Sequence, residues 1–201
     1  MKAIVIGGSG ATGKELIRHL LADPRFQAVT ALVRKPFFDP HAKLTEVIVD
    51  FESLSNYSQH IQGDVAFSCL GTTLKDAGSK AAQWRVDHDY QLEFATLAKA
   101  NGVESFVLLS AIGASPKSSI FYSRMKGELE ESIQKLDFTH LVICKPGAID
   151  RPGTTRAGEK AMINVLRMFN SIGLFKRYAP ITTDHLAQSL ITSYFNPIPV
   201  P

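Results

Sequence analysis

Short apolar runs and longer amphipathic stretches alternate along this chain from its first residues. Ala3 to Ile6 has the character of a buried strand and passes directly into Gly7-Gly8-Ser9-Gly10-Ala11-Thr12-Gly13; Leu16, Ile17, Leu20 and Leu21 then repeat at helical spacing. Asp23-Pro24 breaks that helix, and Ala28 to Val33 reads as a second strand ending at Arg34-Lys35-Pro36. Leu44 to Val49 reads as a third strand, followed by Asp50-Phe51 and a short helix over Ser53 to Ile61. Asp64 to Leu70 forms a fourth and closes with Gly71-Thr72-Thr73, and Lys75 to Ser79 has the composition of a loop. Lys80 to Ala100 carries helical periodicity through Trp84, Tyr90, Phe94, Leu97 and Ala98, and Asn101-Gly102 ends it as a helix C-cap should. Ser105 to Leu109 makes a fifth strand ending at Ser110, Ile120 to Leu136 a helix, and Phe138 to Cys144 a sixth strand ending at Lys145-Pro146-Gly147. Beyond it the pattern predicts a flexible stretch over Arg151 to Gly158 and a helix around Met162 to Asn170. An extended piece around Ala179 to Thr182, a last helix capped by Asp184 and a frayed tail from Pro197 to Pro201 follow.

The first glycine turn sets the architecture. Three glycines at three-residue spacing, Gly7, Gly10 and Gly13, let the backbone turn sharply, let a ligand approach where a Cβ would obstruct it, and let the helix pack closely on the strand. The following helix directs its unpaired N–H groups and positive dipole end at whatever lies above the turn, which suits a pyrophosphate. A strand, a glycine turn and a helix in this order are the context a dinucleotide-binding turn requires. The expected fold is therefore α/β, a doubly wound parallel sheet with strand order 3-2-1-4-5-6. Residues 1–201 are expected to form one such domain, with 151–201 a small C-terminal extension on the substrate side.

About twenty positions past the glycines, the residue at the end of the second strand meets the adenosine ribose. An acidic side chain there accepts hydrogen bonds from a free 2′-hydroxyl and repels a 2′-phosphate, whereas this chain places Arg34 and Lys35. Their charge favours NADP(H) over NAD; the plainer alternative is a basic strand end that only aids solubility. Asp50, with Phe51, lies at a strand C-terminus, where it is placed either to accept from the adenine amino group or to cap a turn. The turn after the fourth strand, Gly71-Thr72-Thr73, is expected beside the first, where the cofactor backbone passes, which makes Cys69, Leu70, Gly71 and Thr72 candidate cofactor contacts.

Composition narrows the picture without redirecting it. A chain of 201 residues with 45% hydrophobic and 20% charged residues is of ordinary globular type. The formal net charge of +3 includes no Lys/Arg stripe of the kind that lines a nucleic-acid groove, so no direct nucleic-acid partner is expected. The apolar start is interrupted by glycines after four residues, too soon for a signal peptide, and no longer apolar stretch suits a membrane span. Cys69 and Cys144 end apolar runs at no metal-ligand spacing, so reduced core thiols and a cytoplasmic location are expected. His88 between Asp87 and Asp89 is not read as a metal site, because consecutive helical residues point about 100° apart. No metal is expected.

Tyr122 and Lys126 are four residues apart and so share one helix face. A phenol of pKa about 10 carries protons poorly at neutral pH, but a neighbouring ammonium stabilises its phenolate. Tyr122 is thus the candidate that gives a proton to a carbonyl oxygen as hydride arrives, or takes one in reverse. Ser110, at the end of the fifth strand, is the candidate hydrogen-bond donor to the same oxygen, and Lys126 is also placed to hold the nicotinamide ribose. The competing view is a Tyr/Lys pair on a solvated helix face.

Taken together, these motifs resemble the short-chain dehydrogenase/reductases, in particular the atypical branch that includes the Tat-interacting-protein oxidoreductase. The resemblance rests on GGSGATG, VRK, VDFESL, CLGTTLKDAG, WRVDHDY, LLSAIGA, YSRMKGELE and KPGAI, and covers nearly the whole chain. It implies phosphate contacts from Gly7, Gly10, Thr12 and Gly13, with Ser9 and Ala11 of the same turn also against the cofactor, 2′-phosphate contacts from Arg34 and Lys35, and ribose-side contacts from Leu70 and Gly71. It places Pro146, Gly147 and Ile149 near the nicotinamide amide. Two departures stand out: Asp87 occupies the place where many members of the wider family carry a relay asparagine, and the region beyond the sixth strand is short. The implied activity is NADP(H)-dependent oxidoreduction of a small carbonyl or alcohol, with the protein monomeric or a homodimer. The alternatives are an NADP(H)-sensing regulator with a protein partner, and a reductase of flavin or tetrapyrrole substrates that would not need the Tyr/Lys pair.

Overall fold

The computed structural model describes residues 1–150 and 180–196. The expected flexible stretch over Arg151 to Gly158, the helix around Met162 to Asn170 and the Pro-rich tail lie outside the described residues. Six strands, β1 (Lys2–Ile6), β2 (Ala28–Val33), β3 (Leu44–Ile48), β4 (Val65–Ser68), β5 (Ser105–Leu109) and β6 (His140–Cys144), form one sheet in the order β3-β2-β1-β4-β5-β6. Every neighbouring pair in it is parallel. Register aligns the strand ends: Ile6 sits beside Leu32 and Ser68, Ser68 beside Leu108, and Leu109 beside Cys144. Gly7, Arg34, Cys69, Ser110 and Lys145, each within a residue or two of a strand end, therefore emerge along one edge of the sheet. A short parallel pair, β7 (Ile149–Asp150) with β8 (Ile181–Thr182), lies outside that sheet.

The period of two along β1 divides the core. Ile4 and Ile6 face a cluster that includes Phe94, Ala98 and Phe106, whereas Ala3 and Val5 face one that includes Leu16, Leu20 and Leu190. Helix α1 (Ala11–Ala22) covers the second face together with the last described helix, Thr183–Phe195. His19 Nε2 meets Asp184 Oδ1 at 2.8 Å across that contact, and Arg18 pairs with the same carboxylate. Each fully buried leucine or phenylalanine in these clusters contributes about 1.5–3 kcal/mol. Burial on both faces is why the strands read as apolar runs rather than as alternating ones.

Four local details differ from the sequence expectation. The short helix expected over Ser53 to Ile61 is a 3-10 helix over Phe51–His60, so it begins two residues earlier, and it is kinked at Ser53. The expected loop over Lys75 to Ser79 instead holds a one-turn helix, α2 (Leu74–Ala77), because Thr73 Oγ1 accepts from Asp76 N and Gly78, at φ +82°, stops it. The last helix is capped by Thr182, which accepts from His185 N; Asp184 sits in its first turn. The long helix ending at Asn101-Gly102 is three pieces: α3 (Lys80–Trp84), a π-turn over Arg85–Asp89, and α4 (Tyr90–Ala100). Gly102, at φ +80°, follows the C-cap as expected. Helix α5 (Phe121–Gln134) lies against α4 and the π-turn, which brings Tyr122 and Lys126 to the strand-end edge.

Candidate active site

The glycine turn follows β1 without a break. Gly7 has φ +75°, and a Cβ there would lie 2.4 Å from the backbone of Cys69 and Leu70, so only glycine lets β1 and β4 leave the sheet side by side. A Cβ on Gly13 would lie 2.1 Å from the Gly7 carbonyl oxygen, so that glycine sets how closely α1 sits on the turn. Gly10 N donates to Gly7 O at 3.0 Å, and Gly10 caps α1 with no side-chain partner for the helix N–H groups. The first turn of α1 has no acidic residue. Its positive end is thus left to an anion, the arrangement a pyrophosphate needs.

One cleft of about 220 Å³ joins this turn to the chemical residues: Gly10, Ala11 and Thr12 line it on one side, Ser110, Tyr122 and Lys126 on the other. Cys69 to Thr73, Asp76, Asp87, Leu109 and Ile149 complete its walls. On the nucleotide side, Gly7, Ser9, Arg34, Phe51 and Cys69 to Gly71 line a second cavity. A third, bounded by Ser9, Arg34, Lys35 and Phe37, lies beside the end of β2. The strand ends thus form a run from two exposed cations to the Tyr/Lys helix. Asp50, Pro146 and Gly147 line none of these cavities. Asp50 caps the 3-10 segment by accepting from Glu52 N at 3.0 Å, and the Pro146 carbonyl accepts from Ile112 N at 2.9 Å.

The chemical end is built from buried charge. Lys126 is 3% exposed and Asp87 1%, and Lys126 Nζ lies 3.7 Å from Asp87 Oδ1. Burial holds the Lys126 ammonium below the ordinary lysine range, and the Asp87 charge acts against that shift. Burial likewise pushes the Asp87 carboxyl above its ordinary value, opposed by Lys126 and by the Thr72 N–H that Oδ2 accepts at 2.8 Å. The π-turn is what aims Asp87 inward. Its carbonyl accepts from Gln91 Nε2 at 2.8 Å, and Ser68 Oγ in turn donates to Gln91 Oε1 at 2.8 Å. His88 points elsewhere, stacked on Trp84 with Nδ1 2.9 Å from Asp89 Oδ1, so the three neighbouring residues do not converge. Tyr122 is 39% exposed at the cleft. Both cysteines are free, and burial, with Cys144 adding to it, pushes the Cys69 thiol up to about 12.

Two residues on this end were given no site role by the sequence, although both lie within the motifs that carry the resemblance: Glu130 and Lys145. Ser110 Oγ donates to Glu130 Oε1 at 2.5 Å, and Lys145 Nζ lies 2.7 Å from Glu130 Oε2. A sequence signal existed, because Tyr122, Lys126 and Glu130 repeat at four-residue spacing on the face that Met125, Leu129 and Ile133 bury alongside.

A parallel sheet in this order, with a glycine turn opening onto a bare helix N-terminus, defines a Rossmann-type dinucleotide-binding domain. Comparison with known proteins narrows this. The profile of an NAD(P)H-binding family matches residues 7–164, and the chain belongs to that family. It is 41% identical over 159 residues to protein HTATIP2 of Rattus norvegicus, a match covering 74% of this chain and 65% of that protein's length. It is 35% identical over 164 residues to the mitochondrial protein FMP52 of Saccharomyces cerevisiae, covering 79% of this chain and 71% of that protein. That name sets a mitochondrial relative beside the cytoplasmic location expected from the sequence. Among solved structures, MoeE5 in complex with UDP-glucose and NAD superposes with a TM-score of 0.71 at 15% identity, over 96% of this chain and 72% of that one. WbmH of Bordetella bronchiseptica in complex with NAD+ superposes at 0.72 and 15%, over 96% and 72%. These two likenesses carry the fold. No helix among the described residues is long and apolar enough to cross a membrane.

Proposed function

We propose that the chain is an NADP(H)-dependent oxidoreductase that moves hydride to or from a small carbonyl or alcohol. The observation that carries this reading is the shared cleft: the turn that suits a pyrophosphate and the set Ser110, Tyr122 and Lys126 line one cavity. The dinucleotide would be held by the backbone of the Gly7 to Gly13 turn, with Ser9, Arg34 and Lys35 around its 2′-phosphate and Phe51, Leu70 and Gly71 along its adenosine side. When bound, it supplies or accepts the hydride. The exposed cations at the end of β2, with no acidic side chain in their place, support NADP(H) over NAD.

In this reading Tyr122 gives its proton to the substrate oxygen in reduction and takes one back in oxidation. The Lys126 ammonium stabilises the phenolate left behind and reaches the ribose, while Asp87 keeps that ammonium charged against the pull of burial. Ser110 sits at the substrate oxygen. A panel of small ketones and aldehydes tests the proposal by NADPH consumption. Turnover of at least one is expected, with Tyr122→Phe lowering it about a thousandfold and leaving NADPH affinity within about twofold. No consumption across the panel, with a protein partner retained only when NADP(H) is bound, would move the assignment to a cofactor-sensing regulator.

A further inference from the structure

A serine has one hydroxyl proton, and a carboxylate only accepts. In the structure Ser110 spends that proton on Glu130, at 2.5 Å, while Lys145 holds the other carboxylate oxygen at 2.7 Å. Ser110 and Glu130 are 5% and 6% exposed, so water does not compete for the bond. Ser110 nevertheless lines the cleft with Tyr122 and Lys126. It therefore presents lone pairs to the cleft, not the donor that a carbonyl or a developing alkoxide wants.

We propose that Glu130 is a positioning residue that acts through Ser110: braced by Lys145, it turns the serine proton away from the cleft and leaves Tyr122 as the principal donor to the substrate oxygen. This rests on the oxidoreductase reading and refines it. To donate to substrate, Ser110 must give up a charge-assisted bond for a neutral one, a poor exchange. Glu130→Gln changes that balance with almost no change of shape. Its amide oxygen stays against the Lys145 ammonium, its N–H₂ donates to Ser110 Oγ, and the serine proton is released towards the cleft.

Four proteins test this: wild type, Glu130→Gln, Ser110→Ala and the double variant, each checked for an unchanged thermal transition and assayed with NADPH and one ketone from the panel. Glu130→Gln should raise kcat/KM about tenfold, chiefly in kcat, a gain that loss of a merely structural contact cannot produce. The gain should vanish in the double variant. Ser110→Ala alone should cost about threefold, against the about 10²–10³-fold expected on losing an oxyanion donor. A strongly downfield proton resonance from the Ser110–Glu130 bond should appear in the wild type and be absent from Ser110→Ala. A hundredfold loss in Ser110→Ala, a Glu130→Gln protein no faster than wild type, or a gain that survives in the double variant would each overturn the proposal; the Ser110→Ala result decides it even if Glu130→Gln does not fold. If no protein reduces any ketone, the oxidoreductase reading falls and with it the role given to Glu130 in that reaction; a resonance still present would then place the failure in that reading, and its absence would remove the Ser110–Glu130 bond as well.

Discussion

The two ends of the cleft are built by different means. At the nucleotide end the groups open to a ligand are mainly backbone, a turn that only Gly7 and Gly13 permit and the N–H groups that begin α1, with two exposed side-chain cations beside them at the end of β2. At the reaction end they are buried charges, Asp87, Lys126 and Glu130, each with a partner from a different element or position. Exposed cations cost little to keep in the absence of a ligand. A buried ion costs several kcal/mol to desolvate, so Lys126 needs Asp87, and Glu130 needs Lys145 and Ser110. Substitutions at the first end should therefore act on affinity, and those at the second on rate, pH dependence and stability.

The largest expected departure is at the turn. Gly13→Val puts a branched side chain where even a Cβ would meet the Gly7 carbonyl at 2.1 Å, so the NADPH dissociation constant should rise more than about a hundredfold, together with a lower Tm. A change under tenfold by fluorescence titration would mean that the turn relaxes and that glycine is not what shapes the nucleotide end.

Asp87→Asn probes the other end. Turnover should fall by about ten- to a hundredfold while NADPH affinity stays within about threefold. The direction in pH follows from the charges. Burial lowers the Lys126 value and Asp87 opposes it, so without the carboxylate the ammonium loses its proton at lower pH and the alkaline limb of the rate profile moves down in pH. The same shift has a stability counterpart. Between the lowered Lys126 value and the ordinary 10.5, the unfolded chain binds the extra proton and stability rises with pH; Asp87→Asn should widen that window downwards. An unmoved alkaline limb would separate Asp87 from Lys126 function.

The smallest effect is reserved for an exposed cation. Arg34→Ala should reduce the preference for NADPH over NADH about tenfold, with kcat for NADPH within about twofold, since an exposed charge–phosphate contact is screened by solvent. Equal loss of both cofactors would make Arg34 a wall of the cavity it shares with Phe51, Leu70 and Gly71 rather than a reader of the 2′-phosphate.

How much of this was legible depended on the range of the interaction. The strands, their order and the glycine turn are local matters. Apolar runs buried on both faces, a turn that needs glycine and a helix following at once leave one arrangement, and the sheet has it. Tyr122 and Lys126 could be paired because helical spacing puts positions four apart on one face. The one-turn helix at Leu74–Ala77 was missed because its cap residue, Thr73, lies in what reads as a small-residue turn. The π-turn over Arg85–Asp89 was missed because Trp84 and Tyr90 were read as one continuous helical period although they are six residues apart, and that turn carries Asp87, which pairs with Lys126.

By itself, then, the sequence determined the nucleotide-binding scaffold and its basic strand end, because both follow from backbone geometry and from charges adjacent in the chain. Only the tertiary structure decided the pairing of the buried charges beside Tyr122. Asp87 and Lys126 are 39 positions apart, and Ser110, Glu130 and Lys145 come from the ends of two strands and the middle of a helix. Their partners are chosen by packing and by the need of every buried charge for a counter-charge or a donor, a condition that exists only once the sheet and helices have closed around them.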